Sequence, residues 1–179
     1  MAEAFSNSLT RAAGIVTTAT GGSIGITTNL ITGISTTGIG VSDLVVNANY
    51  IAGSKVTIIG VSSVTVDRDS TNIAAGTNQV VSFLGPTTAF TSAAGTKTIL
   101  IGGTFANNTD NSVNLTVETR DASAGVDVAI ASKIPVPAGS SFVITDVGKT
   151  LLEATDEVRV YCDSSNAIDV NLSLLTGVN

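Results

Sequence analysis

From Lys97 to Leu174 apolar residues recur at every second position, and this period constrains the fold more than any other feature of the chain. A period of two places alternate side chains on opposite faces of a β-strand, where a helix would need 3.6. In "KTILIGGTF", Ile99, Ile101 and Phe105 share a face, and in "VNLTVETR" Val113, Leu115 and Val117 do. "VDVAIASK" offers Val126, Val128 and Ile130, and "SFVI" offers Phe142 and Ile144. "EVRVYC" sets Val158, Val160 and Cys162 against Arg159 and Tyr161. "IDVNLSLL" sets Ile168, Val170, Leu172 and Leu174 against Asp169, Asn171 and Ser173. Strands spaced by roughly 8–12 residues with turn chemistry between them predict an antiparallel β-sandwich, Ig-like or jelly-roll-like. "NNTDNS", Asn107 to Ser112, reads as a hairpin turn. Pro135 and Pro137 belong at a strand boundary or edge, because proline cannot donate to a ladder. "LLEATDE" reads as a corner whose leucines plug the end of the sandwich while Glu153, Asp156 and Glu157 face water.

Composition supports strands over the rest of the chain. Hydrophobic residues make up 43% of the 179, but aromatic ones only 4% and charged ones 12%. The mass is therefore β-branched, small and turn-forming, without the Glu, Lys, Gln and Arg that clothe surface helices. Residues 21–85 have a different texture, rich in Gly, Thr and Ser around short apolar runs: "NLITGI", "VSDLVV", "KVTIIG", "SSVTVD" and "QVVSFL". Within them "KVTIIGVSSVTVDRDST" predicts a hairpin turning near Val61 and Ser62, with Val56, Ile58, Val64 and Val66 available to a small core. "LGPTTAF", Leu84 to Phe90, is the expected hinge into the second unit. The strand character of "RAAGIVTTAT", Arg11 to Thr20, suggests that it pairs with the sandwich. The expected division is then 1–20 as an N-terminal arm and first sandwich strand, 21–85 as a small β-rich inserted module, and 86–179 as the sandwich.

Several chemistries are excluded by what the chain lacks. With no histidine, Ser-His and Cys-His nucleophile pairs and His-containing zinc sites cannot be built. Cys162 sits on the apolar face of its strand and reads as a small buried hydrophobe. Asp67 and Asp69 in "VDRDSTN" could open a calcium loop, but the Gly and Glu that an EF-hand needs are not at the right spacing, so a solvated hairpin end is the better reading. Glu153 with Asp156 or Glu157 could form a carboxylate pair, yet no Trp supplies a sugar platform. The sequons at Asn107, Asn114 and Asn171 reflect composition. We expect no enzyme activity and no cofactor. A net charge of −6 with eight scattered basic residues disfavours nucleic acid. No stretch of eighteen apolar residues and no leader pattern occurs, so neither membrane association nor export by signal peptide is expected, and synthesis in a host cytoplasm is.

"TILIGGTFANNTDNSVNLTVETRD", "IPVPAGSSFVI" and "LLEATDEVRVYCDSSNAIDVNLSLL" resemble, in that order, a small β-sandwich of virion structural proteins in tailed bacteriophages, particularly cyanophage-like ones. The segment from Ile31 to Asn72 is similar to a module that recurs in phage structural and tail-fibre proteins. One departure is Thr155, where the family tends to have glycine before its Asp. The resemblance implies a non-catalytic virion component, first of all a capsid decoration or cement protein bound to the major capsid protein or other virion proteins. The alternatives are a neck, tail or fibre protein, or a host-surface binding module whose loop carries Asn47, Asn49 and Tyr50. The apolar fraction implies homo-oligomerisation or retention on a repeating lattice.

Overall fold

The computed structural model describes residues 3–145 and 149–178. All of its regular structure is β. Strand β1 (Ala4–Ala13) opens the chain and is followed by β2 (Ile15–Ile24), β3 (Leu30–Thr32), β4 (Leu44–Val46), β5 (Val56–Ile59), β6 (Ser63–Val66) and β7 (Gly76–Gly85). Next come β8 (Thr87–Thr91), β9 (Lys97–Asn107), β10 (Val113–Asp121), β11 (Val126–Val136) and β12 (Ser141–Ile144). The last are β13 (Thr150–Leu152), β14 (Glu157–Cys162) and β15 (Ile168–Val178). The chain forms two compact units, one running through Gly14 and resuming at Thr87, the other comprising Ile15–Pro86.

The first unit is an antiparallel β-sandwich. One sheet has the order β1-β15-β9-β12, with β13 also on β9, and the other has the order β11-β10-β14-β8. Leu100, Phe105, Leu115, Val117, Val158, Val160, Cys162, Ile168, Leu172 and Leu174 from the two sheets fill one core. Phe142 on β12 joins it, its ring 6.1 Å from that of Phe105. Strands β10 and β11 form a hairpin within a sheet, whereas β8 to β9, β9 to β10, β11 to β12, β13 to β14 and β14 to β15 each cross between sheets.

Several expectations change at this level. "NNTDNS" is not a hairpin turn, because β9 and β10 lie in different sheets. Buried Asn107 redirects the chain there: its Nδ2 donates to the carbonyls of Asn111 (2.7 Å), Val136 (2.9 Å) and Pro137 (3.1 Å). Its Oδ1 accepts from the Thr109 N–H and hydroxyl at 2.9 and 2.8 Å. Along β9, Leu100 faces the core with Phe105 while Ile99 and Ile101 do not. The register shift opposite Ser173/Leu174 leaves Ile101 without a partner, and this extra residue inverts the alternation. Val126, Val128 and Ile130 are exposed rather than inward. Val126 and Val128 pair with Asp121 and Thr119, beyond the well-buried part of β10, so the hairpin overhangs the core. Pro135 does lie in edge strand β11. In the corner, Leu152 plugs the core but Leu151 points out, and Asp156 is buried, its carboxylate accepting from the N–H groups of Ala122 (3.0 Å) and Glu153 (2.9 Å). Thr155 adopts φ 70°, the left-handed conformation that favours glycine.

The N-terminal segment is not an arm. From Ala4 it is a full strand along β15, in register from Ala4↔Thr176 to Thr10↔Val170. The segment Arg11 to Thr20 is split at Gly14: Arg11 to Ala13 stay in the sandwich, and Ile15 onward enters the second unit as β2 against β7. Gly14 has φ 120°, and a Cβ there would run into the Ser164 carbonyl. Its N–H lies 3.2 Å from Thr87 Oγ1, so the chain leaves this unit and returns to it at adjacent points. The inserted unit therefore begins at 15, not 21, and Thr87 to Phe90 of the expected hinge already belong to β8.

The second unit is a sheet of order β4-β7-β2-β3-β6-β5 that closes on itself. Leu44 bridges Lys55, and backbone N–H groups of Ser42, Val45 and Val56 donate to Val56, Ser54 and Asp43 at 2.8 to 3.0 Å. The result is a small barrel filled by Ile24, Ile31, Val45, Val56, Val64, Val66, Val81 and Phe83. The predicted hairpin is β5–β6, but Ile58 points outward, since the register shift between Val56 and Ile58 inverts the alternation there as well.

Candidate interaction surface

The two outer faces of the sandwich differ in chemistry. On the four-stranded sheet, Glu118 pairs across the ladder with Arg159, and Arg120 with Glu157. Arg159 Nε donates to Glu157 Oε2 at 2.6 Å, and Asp127 Oδ1 lies 3.4 Å from Arg120 and 3.8 Å from Arg159. Burial acts to lower the Arg159 pKa, but the Glu157 hydrogen bond and the charges of Glu157, Tyr161 and Asp127 outweigh it, and the pKa rises. Tyr161 is fully buried beside Glu118, and its pKa is raised by that burial and by the Glu118 and Asp127 charges. Opposite charges placed directly across strands satisfy one another and stabilise the sheet.

On the five-stranded sheet the outer face groups exposed apolar side chains around uncharged polar ones. Phe5 pairs with Leu175, Leu175 with Ile99 and Ile99 with Leu151, giving one row across four strands. Leu9, Asn171, Thr104 and Val143 form a second row. Asn7, Ser173 and Gly102 lie between them. Phe5 is 80% exposed and Leu9 74%, with Val143 and Leu151 half exposed. Beside Leu9 a shallow depression of about 420 Å³ is lined by Arg11, Thr104, Ala106, Asp169 and Asn171 among others. Exposed apolar side chains grouped on one sheet, where scattered ones would need no explanation, make this face the candidate interaction surface. Sequence reasoning missed this face because "MAEAFSNS" reads as an arm. The signal was there in Phe5 and Leu9, which keep the period of two.

The loop expected to make contacts is committed to the barrel instead. Tyr50 is 6% exposed and packs in the barrel core, its hydroxyl donating to the Thr28 carbonyl at 3.2 Å. Burial and the nearby Asp69 charge push its pKa up to about 12. Asn47 Oδ1 accepts the Asn49 N–H and its Nδ2 donates to the Val80 carbonyl, both at 2.9 Å. Asn49 Nδ2 lies 3.5 Å from Gln79 Oε1. The three residues are brought together, but as a loop fastening rather than a presented aromatic. The barrel's most exposed apolar side chains are Val61 (99%) at the β5–β6 tip and Ile73 (93%), with Ile58 and, beside Tyr50, Ile51 also exposed.

The remaining candidates have structural roles. Asp67 Oδ1 accepts the Lys55 N–H at 2.7 Å, and among the described residues no three His, Cys, Asp or Glu side chains gather to hold a metal ion. Glu153 pairs with Lys97 at 3.0 Å. Cys162 is in the sandwich core, where burial pushes its thiol pKa up. Of the sequon residues, Asn107 is buried, while Asn114 is exposed and donates to Asp163 through backbone (2.8 Å) and side chain (2.7 Å). No protein-family model, curated protein or solved structure matches this chain.

Proposed function

We propose that this protein is a non-catalytic structural component of a tailed-phage virion, a decoration or cement protein that seats on the major capsid protein lattice. The observation that carries this reading is the outer face of the five-stranded sheet, where the apolar row Phe5, Leu175, Ile99 and Leu151 and the apolar ends of the next row, Leu9 and Val143, surround amide and hydroxyl groups with no charge between them. The core of an interface is depleted in charge in the same way. The resemblance of the sandwich segments to phage virion proteins points in the same direction. A neck, tail or fibre position is the second reading, favoured by the β5–β6 tip, where Ile58 and Val61 project as an apolar knob. Quantitative mass spectrometry of purified virions separates the two. Hundreds of copies per particle are expected for a decoration protein, a few copies that co-purify with tails would transfer the protein to the tail apparatus, and absence from particles would overturn both readings.

A further inference from the structure

We infer that β1 is a self-association strand, and that two copies of this chain join edge to edge about a twofold axis at Asn7. Among the described residues β1 pairs with β15 alone and ends the order of its sheet. Natural edge strands are usually blunted by charge, proline or a bulge. The regular ladder of β1, Ala4 to Thr10, has no charge and no proline, and its bulge comes only after Thr10.

The sequence of this ladder is nearly palindromic. Asn7 is its midpoint, Ser6 and Ser8 flank it, and Phe5 and Leu9 follow at equal distances. Antiparallel pairing of two identical strands about an axis at residue 7 sets residue i opposite residue 14 − i. Phe5 then meets Leu9 of the other copy, Asn7 meets Asn7, and each serine meets the other. Ala4 then meets Thr10, and just outside the ladder Glu3 comes opposite Arg11, the first residue of the bulge; these are the two charged residues nearest the ladder and are of opposite sign. A twofold interface must be complementary to itself, and this register gives one amide pair on the axis with an apolar pair and an ion pair on each side of it. The exposed Phe5 and Leu9 are each covered by the contact, and the apolar rows continue into the second copy. A net charge of −6 repels two copies at most approaches, whereas here the only facing charges attract. The inference does not depend on which virion site the protein occupies.

Sedimentation equilibrium of the full chain at low salt tests it. A reversible dimer is expected. Glu3→Arg and Arg11→Glu, each of which places like charges opposite one another at both ends, should weaken it about tenfold, and the double variant should recover wild-type affinity. Asn7→Cys should cross-link dimers on mild oxidation, and Asn171→Cys, on the neighbouring strand, should not. Melting curves identify any variant that has lost its fold, and the double variant must dimerise for the inference to stand. A chain that stays monomeric at high concentration, a dimer indifferent to both charge changes, failure of the double variant to recover, or equal cross-linking through Asn171→Cys would overturn it.

Discussion

The two units close a β-layer in different ways. The sandwich covers each sheet with the other and leaves strand edges at β1, β8, β11, β12 and β13, whereas the barrel returns its last strand to its first through Leu44 and Lys55. A stacked core needs long strands with unbroken alternation, such as β15, where Ile168, Val170, Leu172 and Leu174 all face in. The barrel joins two ten-residue strands, β2 and β7, to four strands of three or four residues through sharp corners. At the barrel's corners Gly21 and Gly33 take φ values of 80° and 75°, the left-handed region that favours glycine. Unsatisfied edges thus belong to the sandwich, and the surface suited to partners lies there too.

The largest effect expected from this comparison is all-or-none. Because the Gly14 N–H lies 3.2 Å from Thr87 Oγ1, replacing Ile15–Pro86 by a short Gly/Ser linker should leave a folded sandwich, as closing so short a loop costs little. Removing residues 1–86 instead deletes β1, bares β15 and should produce a chain that aggregates or melts far earlier. Calorimetry on the two shortened chains measures the difference, and equal melting temperatures would show that β1 is not part of the sandwich's stability.

A smaller effect tests the Asn107 clamp. Asn107→Asp keeps the shape but turns a donor to three carbonyls into a carboxylate facing them, and should cost the sandwich about 3–5 kcal/mol. Chemical denaturation of the linker-shortened chain would read this directly, with Asn47→Asp in the full chain as the milder change expected of a half-exposed loop amide. A loss below about 1 kcal/mol for Asn107→Asp would mean that the turn is held by its backbone alone.

The smallest effect concerns pH and has opposite signs in the two units. Burial raises the pKa of barrel residue Asp43 above 3.8, despite the Gly40 N–H that its carboxylate accepts. The folded barrel therefore holds that proton more tightly than the unfolded chain, and its stability rises as pH falls through the raised pKa. In the sandwich, Asp121 accepts hydrogen bonds from the Ala124 N–H and the Ser123 hydroxyl, which lower its pKa below 3.8. That contribution is present above 3.8 and is lost as pH falls through the lowered value. Residue-resolved urea titrations by NMR from about pH 6 to 3 should show barrel midpoints rising relative to those of the sandwich. Asp43→Asn should remove the barrel's response and Asp121→Asn part of the sandwich's fall. Parallel shifts in both units would break the comparison.

The fold class was legible in the sequence because Leu115, Val158 and Leu172 alternate with polar neighbours, and alternation is local. What escaped was set by partners distant in sequence. The bulge at Ile101 exists only against Ser173 and Leu174, and the exposure of Val128 depends on where the opposite sheet ends. In sequence Tyr50 looks like a contact residue, as an aromatic in an Asn- and Gly-rich loop does, yet it packs in the barrel core and donates to the Thr28 carbonyl. Phe5 and Leu9 keep the period of two, but two apolar residues in a polar run do not alone tell a strand from an extended tail when the ladder partner lies more than 160 residues away.

The Asn107 clamp also bears on chemical ageing. Asparagine decays when the following backbone nitrogen attacks its side-chain carbonyl, and this is one reason asparagine counts as thermolabile. At Asn107 the attacking nitrogen, that of Asn108, donates to the Ala167 carbonyl at 2.9 Å, while the side-chain oxygen is held by Thr109. Attack would require both to let go while the amide sits in a buried site. The hydrogen bonds that steer the chain from one sheet to the other thus slow the spontaneous hydrolysis that would install a carboxylate among three carbonyl oxygens, and the sandwich should keep its shape through long storage in water.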